Sequence, residues 1–118
     1  YPMGVGIGNW QEYCNKTQPY HLLRHEYPHN LILEVFAELG ILGGVILLIL
    51  IVKALYFTFF RMLKYSHQNS IYELFFYLQV FLLINSMFSG SLNDSRLFLI
   101  VIAISLIPEP LLNKNIVK

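Results

Sequence analysis

The feature that most limits the fold of this chain is an apolar run from Leu39 to Phe60, in which Lys53 is the only charged residue. The run is as long as the roughly 20 consecutive apolar residues that a helix needs to cross a bilayer. Charged residues make up only 13% of the sequence, whereas soluble domains average about 25%. We therefore predict an all-α fold, a helical integral membrane protein, and we exclude nucleic acid as a partner because the net charge is only +1.

Three apolar segments predict about three transmembrane helices, which together form a membrane region over residues 31–118. The expected spans are residues 31–60, 71–88 and 92–107. Residues 1–30 are polar and irregular, and we expect them to be part of an outer loop. Since the chain begins at Tyr1, we expect it to be the C-terminal part of a longer multi-span protein.

The first span is predicted as one continuous helix with Asn30 as its N-cap. At roughly 1.5 Å per residue it would be about 45 Å long, but the hydrocarbon core is only about 30 Å thick. Its first turns, which carry Glu34 and Glu38, should then project from the bilayer. The G-x-x-x-G spacing of Gly40 and Gly44 predicts close contact with a neighbouring helix.

Lysine and arginine in the short flanking segments predict the orientation. The 61–70 loop contains Arg61 and Lys64, and the tail contains Lys114 and Lys118. Residues 1–30 contain only two such residues in a much longer stretch. We expect the 61–70 loop and the tail to face the cytoplasm, and residues 1–30 and 89–96 to face outward.

Three histidines on the outer side, His21, His25 and His29, are spaced four residues apart, as metal ligands on one helix face would be. Pro28 should end any helix before His29, and no cysteine or carboxylate at ligand spacing completes the set. We expect neither a metal nor a cofactor. The glycine-rich segment Gly4–Gly8 lacks the third glycine of a dinucleotide fingerprint and predicts a tight turn at the membrane surface.

Four charged residues on the outer side each allow two interpretations. Glu34 and Glu38 share a helix face; they are either solvated carboxylates that favour a helix N-terminus or groups that order the loop or contact a polar substrate. Arg24 and Arg96 are either interfacial anchors or anion-binding groups, because a guanidinium matches the oxygens of a phosphate or pyrophosphate.

Several short motifs resemble the signature of the O-antigen ligase and O-antigen polymerase superfamily. That signature is a Pro-His-Asn loop end followed by a span with glutamate and glycine. The matching residues here are Tyr27-Pro28-His29-Asn30, Leu33-Glu34, Glu38-Leu39-Gly40 and Leu42-Gly43. The segment from Gly4 to Trp10 resembles the glycine-rich stretch that opens the family's large outer loop.

The resemblance implies a glycosyltransferase in the bacterial inner membrane, with residues 1–30 facing the periplasm. Such enzymes transfer a glycan from undecaprenyl pyrophosphate to a hydroxyl of another glycan or of the lipid A core. His29 matches the loop histidine that assists the acceptor hydroxyl or orients the substrate. Asn30, Glu34 and Glu38 would support it, and Arg24 and Arg96 are further candidates for substrate contacts.

Two other classes of function remain open from the residues alone. Gln79 and Ser86 are seven residues apart and share a helix face, which Asn85 adjoins, and we expect this face to point into the bundle rather than at lipid. A transporter or flippase component would use this polar face of the second span as a pathway. A non-catalytic membrane scaffold would carry the outer histidines only as interfacial side chains.

Overall fold

The computed structural model describes residues 2–17, 30–65, 70–88 and 95–108, and this part of the chain is all-helical. Its helices are α1 (Trp10–Thr17), α2 (Leu31–Tyr65), α3 (Ile71–Phe88) and α4 (Arg96–Ser105). The all-α prediction is confirmed for the described residues. Helices α2 and α3 are long and apolar enough to cross a membrane, whereas α4 is a shorter apolar helix. A third full span therefore stays a prediction.

Helix α2 begins as the sequence predicts. The side-chain oxygen of Asn30 accepts hydrogen bonds from the backbone N–H groups of Ile32 and Leu33, at 3.0 and 3.1 Å. These two bonds satisfy amides that have no partner within the helix, which is the role of an N-cap. Asn30 thus fixes where the apolar helix starts.

The end of α2 differs from the expected one. The helix continues to Tyr65, so Arg61 and Lys64 lie in its last turns rather than in a loop. Arg61 reaches across to the end of α4, where its two terminal nitrogens donate to the carbonyl oxygens of Ser105 at 2.9 Å and Ile107 at 2.6 Å. A guanidinium thereby satisfies carbonyls that the end of α4 leaves without helical partners.

Helix α2 is broken at Gly40, which has φ 72° and ψ −169°. Glycine tolerates this left-handed conformation because it has no Cβ. The prediction of one continuous helix was therefore wrong. The predicted helix-packing role of the G-x-x-x-G spacing was wrong as well: Gly40 faces residues 2–4, and Gly44 is covered by Phe36 of its own helix.

The backbone of residues 2–6, which we call the docked segment, lies against this break. Three backbone hydrogen bonds hold it, from Val5 N–H to Ala37 O at 2.9 Å, from Gly6 N–H to Glu38 O at 2.9 Å, and from Ile41 N–H to Pro2 O at 3.2 Å. A helix break frees carbonyl and amide groups that otherwise bond within the helix. The docked segment supplies hydrogen-bond partners for these groups, so the rest of the fold stabilises the break.

Helices α2, α3 and α4 pack together around one apolar core. Its buried members are Leu31, Val35, Leu47, Ile51, Ala54, Phe98 and Ile102. Leu31 and Val35 belong to the first turns of α2, which the length argument predicts to project from the bilayer. These turns pack into the same core, so both side chains are buried within the protein.

The outward faces of α2 and α3 are strongly apolar. Ile41, Leu42, Val52, Tyr77 and Phe81 are all more than half exposed. Contiguous exposed apolar surface of this kind is covered by lipid or by other protein in a native setting. The surface agrees with membrane association of the two long helices.

Candidate functional site

The sequence-predicted site residues divide into two groups. Arg24 and His29, together with His21 and His25, lie outside the described residues. Asn30, Glu34 and Glu38 lie together along the first two turns of α2. Arg96 is the first residue of α4, with an exposed side chain. The described part of the site is therefore the entry of α2, which we define as Asn30 to Gly40 with the docked segment.

Two carboxylate residues are buried at the α2 entry. Glu34 is 3% exposed and Glu38 is 5% exposed. The interpretation of both as solvated side chains was wrong, because the first turns of α2 pack against other parts of the chain. Removing a carboxylate from water is costly unless something compensates its charge. The positive end of the helix dipole favours a negative charge at Glu34, in the first turn.

Two glycines allow the docked segment to reach the turn that carries Glu38. Gly4 has φ 76° and Gly40 has φ 72°. A Cβ on Gly4 would overlap the backbone of Glu38, and a Cβ on Gly40 would overlap the backbone of Pro2 and Met3. The glycine-rich stretch was predicted as a tight turn, and turns are present at residues 2–3 and 7–8. They also bring an extended piece of backbone into contact with α2, which was not predicted.

Helix α1 was missed by the sequence analysis, which treated residues 1–30 as polar and irregular. The signal for α1 is nevertheless present. Asn9 precedes the helix and Glu12 follows three residues later, the spacing of a capping box. Glu12 and Lys16 then form an i, i+4 ion pair on the helix surface. The hydrogen bond and charge of Lys16 lower the pKa of Glu12.

A groove of about 400 Å³ lies between α1 and the docked segment. It is lined by Gly4, Val5, Asn9, Glu12, Tyr13 and Lys16. The side-chain amide of Asn9 donates to the Val5 carbonyl at 3.3 Å, which ties the start of α1 to the docked segment. The groove thus adjoins the backbone that is bonded to the carbonyls of Ala37 and Glu38.

A second set of buried polar side chains lies where α2, α3 and α4 meet. It consists of Thr58, Gln79 and Ser105, which we call the polar triad. Gln79 Oε1 lies 2.9 Å from the Thr58 hydroxyl and 3.3 Å from the Ser105 hydroxyl. Each hydroxyl also lies within hydrogen-bond distance of the carbonyl four residues earlier in its own helix. Gln79 Nε2 is buried and has no partner among the described residues.

Only part of the polar face of α3 points into the helix bundle. Gln79 and Ser86 are buried, as predicted. Asn85 is exposed, so its predicted inward orientation was wrong. The Ser86 hydroxyl donates to the Leu83 carbonyl at 2.8 Å. Asn85 therefore does not extend the inward polar groups into a continuous pathway.

The described residues contain no group of three or more histidine, cysteine, aspartate or glutamate side chains that could hold a metal ion. Among known proteins, neither a family, nor a curated protein, nor a solved structure matches the chain.

Proposed function

We propose that this chain is part of an outer-face glycan ligase or polymerase. It would transfer an oligosaccharide or polysaccharide from undecaprenyl pyrophosphate to an acceptor hydroxyl during the biosynthesis of O-antigen or a related surface polysaccharide. In this proposal, residues 1–30 face the periplasm, and the α2 entry lies near the lipid-linked pyrophosphate. His29 is the catalytic residue, directly before Asn30 in the sequence.

The observation that carries the proposal is the buried pair Glu34 and Glu38 at the start of an apolar helix. Ionisable groups at such a position are costly and are typically functional. Asn30 fixes the helix start through two hydrogen bonds, and His29 directly precedes Asn30 in the sequence. The Pro-His-Asn resemblance assigns this histidine its role.

The chemistry requires one base or orienting group. The acceptor hydroxyl oxygen attacks the anomeric carbon of the donor glycan, and the bond from that carbon to the pyrophosphate oxygen breaks. Lipid pyrophosphate departs with the bonding electrons, and the hydroxyl proton passes to His29. A positioned histidine contributes about 10²–10⁴-fold to such a step. Arg24 and Arg96 are candidates for holding the pyrophosphate.

The test compares histidine variants of the full-length protein in the cells that make it. We expect His29→Ala to abolish polysaccharide assembly while the protein remains in the membrane at its normal level. His21→Ala and His25→Ala are matched controls, because they remove the same side chain from the same segment. Glycan profiles on a gel are the readout, and membrane immunoblots report the amount of protein.

A wild-type glycan profile from the His29→Ala strain would overturn the catalytic role. Equal loss of assembly in all three histidine variants would also count against it, because the effect would then belong to the segment rather than to one base. Normal assembly in all three would favour the scaffold interpretation.

A further inference from the structure

We propose that the groove between α1 and the docked segment is a saccharide-binding subsite that holds the acceptor glycan. This inference deepens the proposed function and rests on it for the identity of the ligand as an acceptor. Saccharide binding by the groove can be measured by itself.

The lining of the groove has the chemistry that a sugar requires. Asn9 carries an amide, Glu12 a carboxylate and Lys16 an ammonium group, so donors and acceptors for hydroxyl groups are both present. Tyr13 adds an aromatic ring. A cleft of about 400 Å³ lies within the usual range for small-ligand sites, about 300–1,000 Å³.

Glu12 and Lys16, the charged pair in the groove, can each exchange its ion-pair partner for a ligand hydroxyl. The side chains of Glu12 and Lys16 are mostly exposed, and the ion pair between them is held within a single helix. Exposed ion pairs of this type are weak, so a ligand hydroxyl competes for either group at little cost. Lys16 lowers the pKa of Glu12 through its hydrogen bond and its charge, and the carboxylate oxygens are hydrogen-bond acceptors.

The position of the groove favours the acceptor over other ligands. Gly4 and Val5 form one wall, and Val5 N–H is bonded to the Ala37 carbonyl of α2 at 2.9 Å. Ala37 is the neighbour of Glu38 in the sequence. A glycan in the groove is therefore held beside the α2 entry, where the proposed transfer takes place. The net charge of the Glu12–Lys16 pair is zero, which suits a neutral saccharide better than a pyrophosphate.

The experiment measures binding of the full-length protein in lipid nanodiscs to an array of neutral hexose and N-acetylhexosamine oligosaccharides. The double variant Glu12→Gln, Lys16→Met is compared with wild type. Both side chains are exposed, so the protein should fold normally. We expect about tenfold weaker binding, as for the loss of hydrogen bonds to charged groups. Glu73→Gln, which neutralises an acid outside the groove, should bind like wild type.

The outcomes separate this inference from the function on which it rests. If wild type binds none of the oligosaccharides, or if the double variant binds them equally well, the groove is not the subsite. Loss of binding in the double variant but not in His29→Ala supports the groove whether or not His29→Ala blocks polysaccharide assembly. Normal assembly in His29→Ala with groove-dependent binding would remove the acceptor assignment and leave a saccharide site.

Discussion

In the described part of the chain, the polar triad and the α2 entry both bury several polar side chains, and the two regions differ in how they hold them. At the polar triad, the hydroxyls of Thr58 and Ser105 lie within hydrogen-bond distance of Gln79 Oε1 and of carbonyls of their own helices. At the α2 entry, two carboxylates are buried on one helix face, next to a helix break held by backbone from elsewhere in the chain. The triad connects helices, whereas the entry combines buried charge with a distorted backbone.

This difference makes the α2 entry the region at which the proposed function is best tested. Backbone in sparsely populated conformations and buried ionisable groups both cost free energy, and both cluster at functional sites. Neutral interhelical hydrogen bonds in apolar bundles are common and contribute little individually. The predictions below test whether the entry and the triad differ in this way.

The largest expected effect is at the helix break. Gly40→Ala places a Cβ against the backbone of Pro2 and Met3 and also imposes the left-handed penalty. We expect a loss of about 3 kcal/mol in the free energy of unfolding, measured by detergent-induced unfolding of the full-length protein in mixed micelles. Gly8→Ala is the matched control, because Gly8 has φ 75° but open space around it.

The control should lose only about 1 kcal/mol, the cost of the left-handed conformation alone. The difference between the two variants then measures the contact of the docked segment with α2. Equal losses in the free energy of unfolding would show that the contact with the docked segment does not stabilise the α2 entry. The helix break would then not distinguish the α2 entry from the polar triad.

The sequence predicts some parts of these regions better than others. Helix type, the N-cap at Asn30 and the burial of Gln79 and Ser86 follow from local pattern, namely composition, cap chemistry and spacing on a helix face. The break at Gly40 could not be predicted this way, because an apolar run with a glycine is compatible with a straight helix. It depends on backbone from residues 2–6, which are far away in the sequence.

The burial of Glu34 and Glu38 was missed for a related reason. Length arithmetic treats a span as a straight rod and places its excess turns in water. The turns of α2 that carry both residues pack into the bundle through Leu31 and Val35. For the site itself, the sequence gives residue types and their order along α2, but whether they are solvated depends on tertiary packing.

The second expected effect is on activity rather than stability. Glu38→Gln keeps the shape of the side chain and removes its charge. We expect the free energy of unfolding to stay equal or to rise, because a buried charge is lost, while polysaccharide assembly falls about tenfold, equivalent to about 1.4 kcal/mol. Unfolding in mixed micelles and glycan yield per cell are measured on the same strains.

Glu73→Gln is the control for Glu38→Gln, since it removes an acid in the first turn of α3, away from the entry. It should leave assembly unchanged. If Glu38→Gln destabilised the protein by several kcal/mol and lowered assembly only in proportion to the folded amount, Glu38 would be a structural residue and the two regions would be alike.

The smallest expected effect is at the polar triad. In Gln79→Leu, the hydroxyls of Thr58 and Ser105 keep the carbonyls of Ala54 and Val101 as acceptors. The substitution also removes a buried Nε2 that has no partner among the described residues, and burying such a donor is itself unfavourable. We expect the free energy of unfolding to change by less than about 1 kcal/mol.

A double-mutant cycle of Gln79→Leu with Thr58→Val isolates the hydrogen bond between these two side chains from the rest of each substitution. Coupling energies for such bonds within a membrane average about 0.6 kcal/mol, and a value near this would identify the triad as a weak interhelical tie. The opposite result would be a coupling above about 2 kcal/mol together with normal polysaccharide assembly in the Glu38→Gln strain. The triad would then be the costly and specific region, and the polar face of α3 would be the place to look for function.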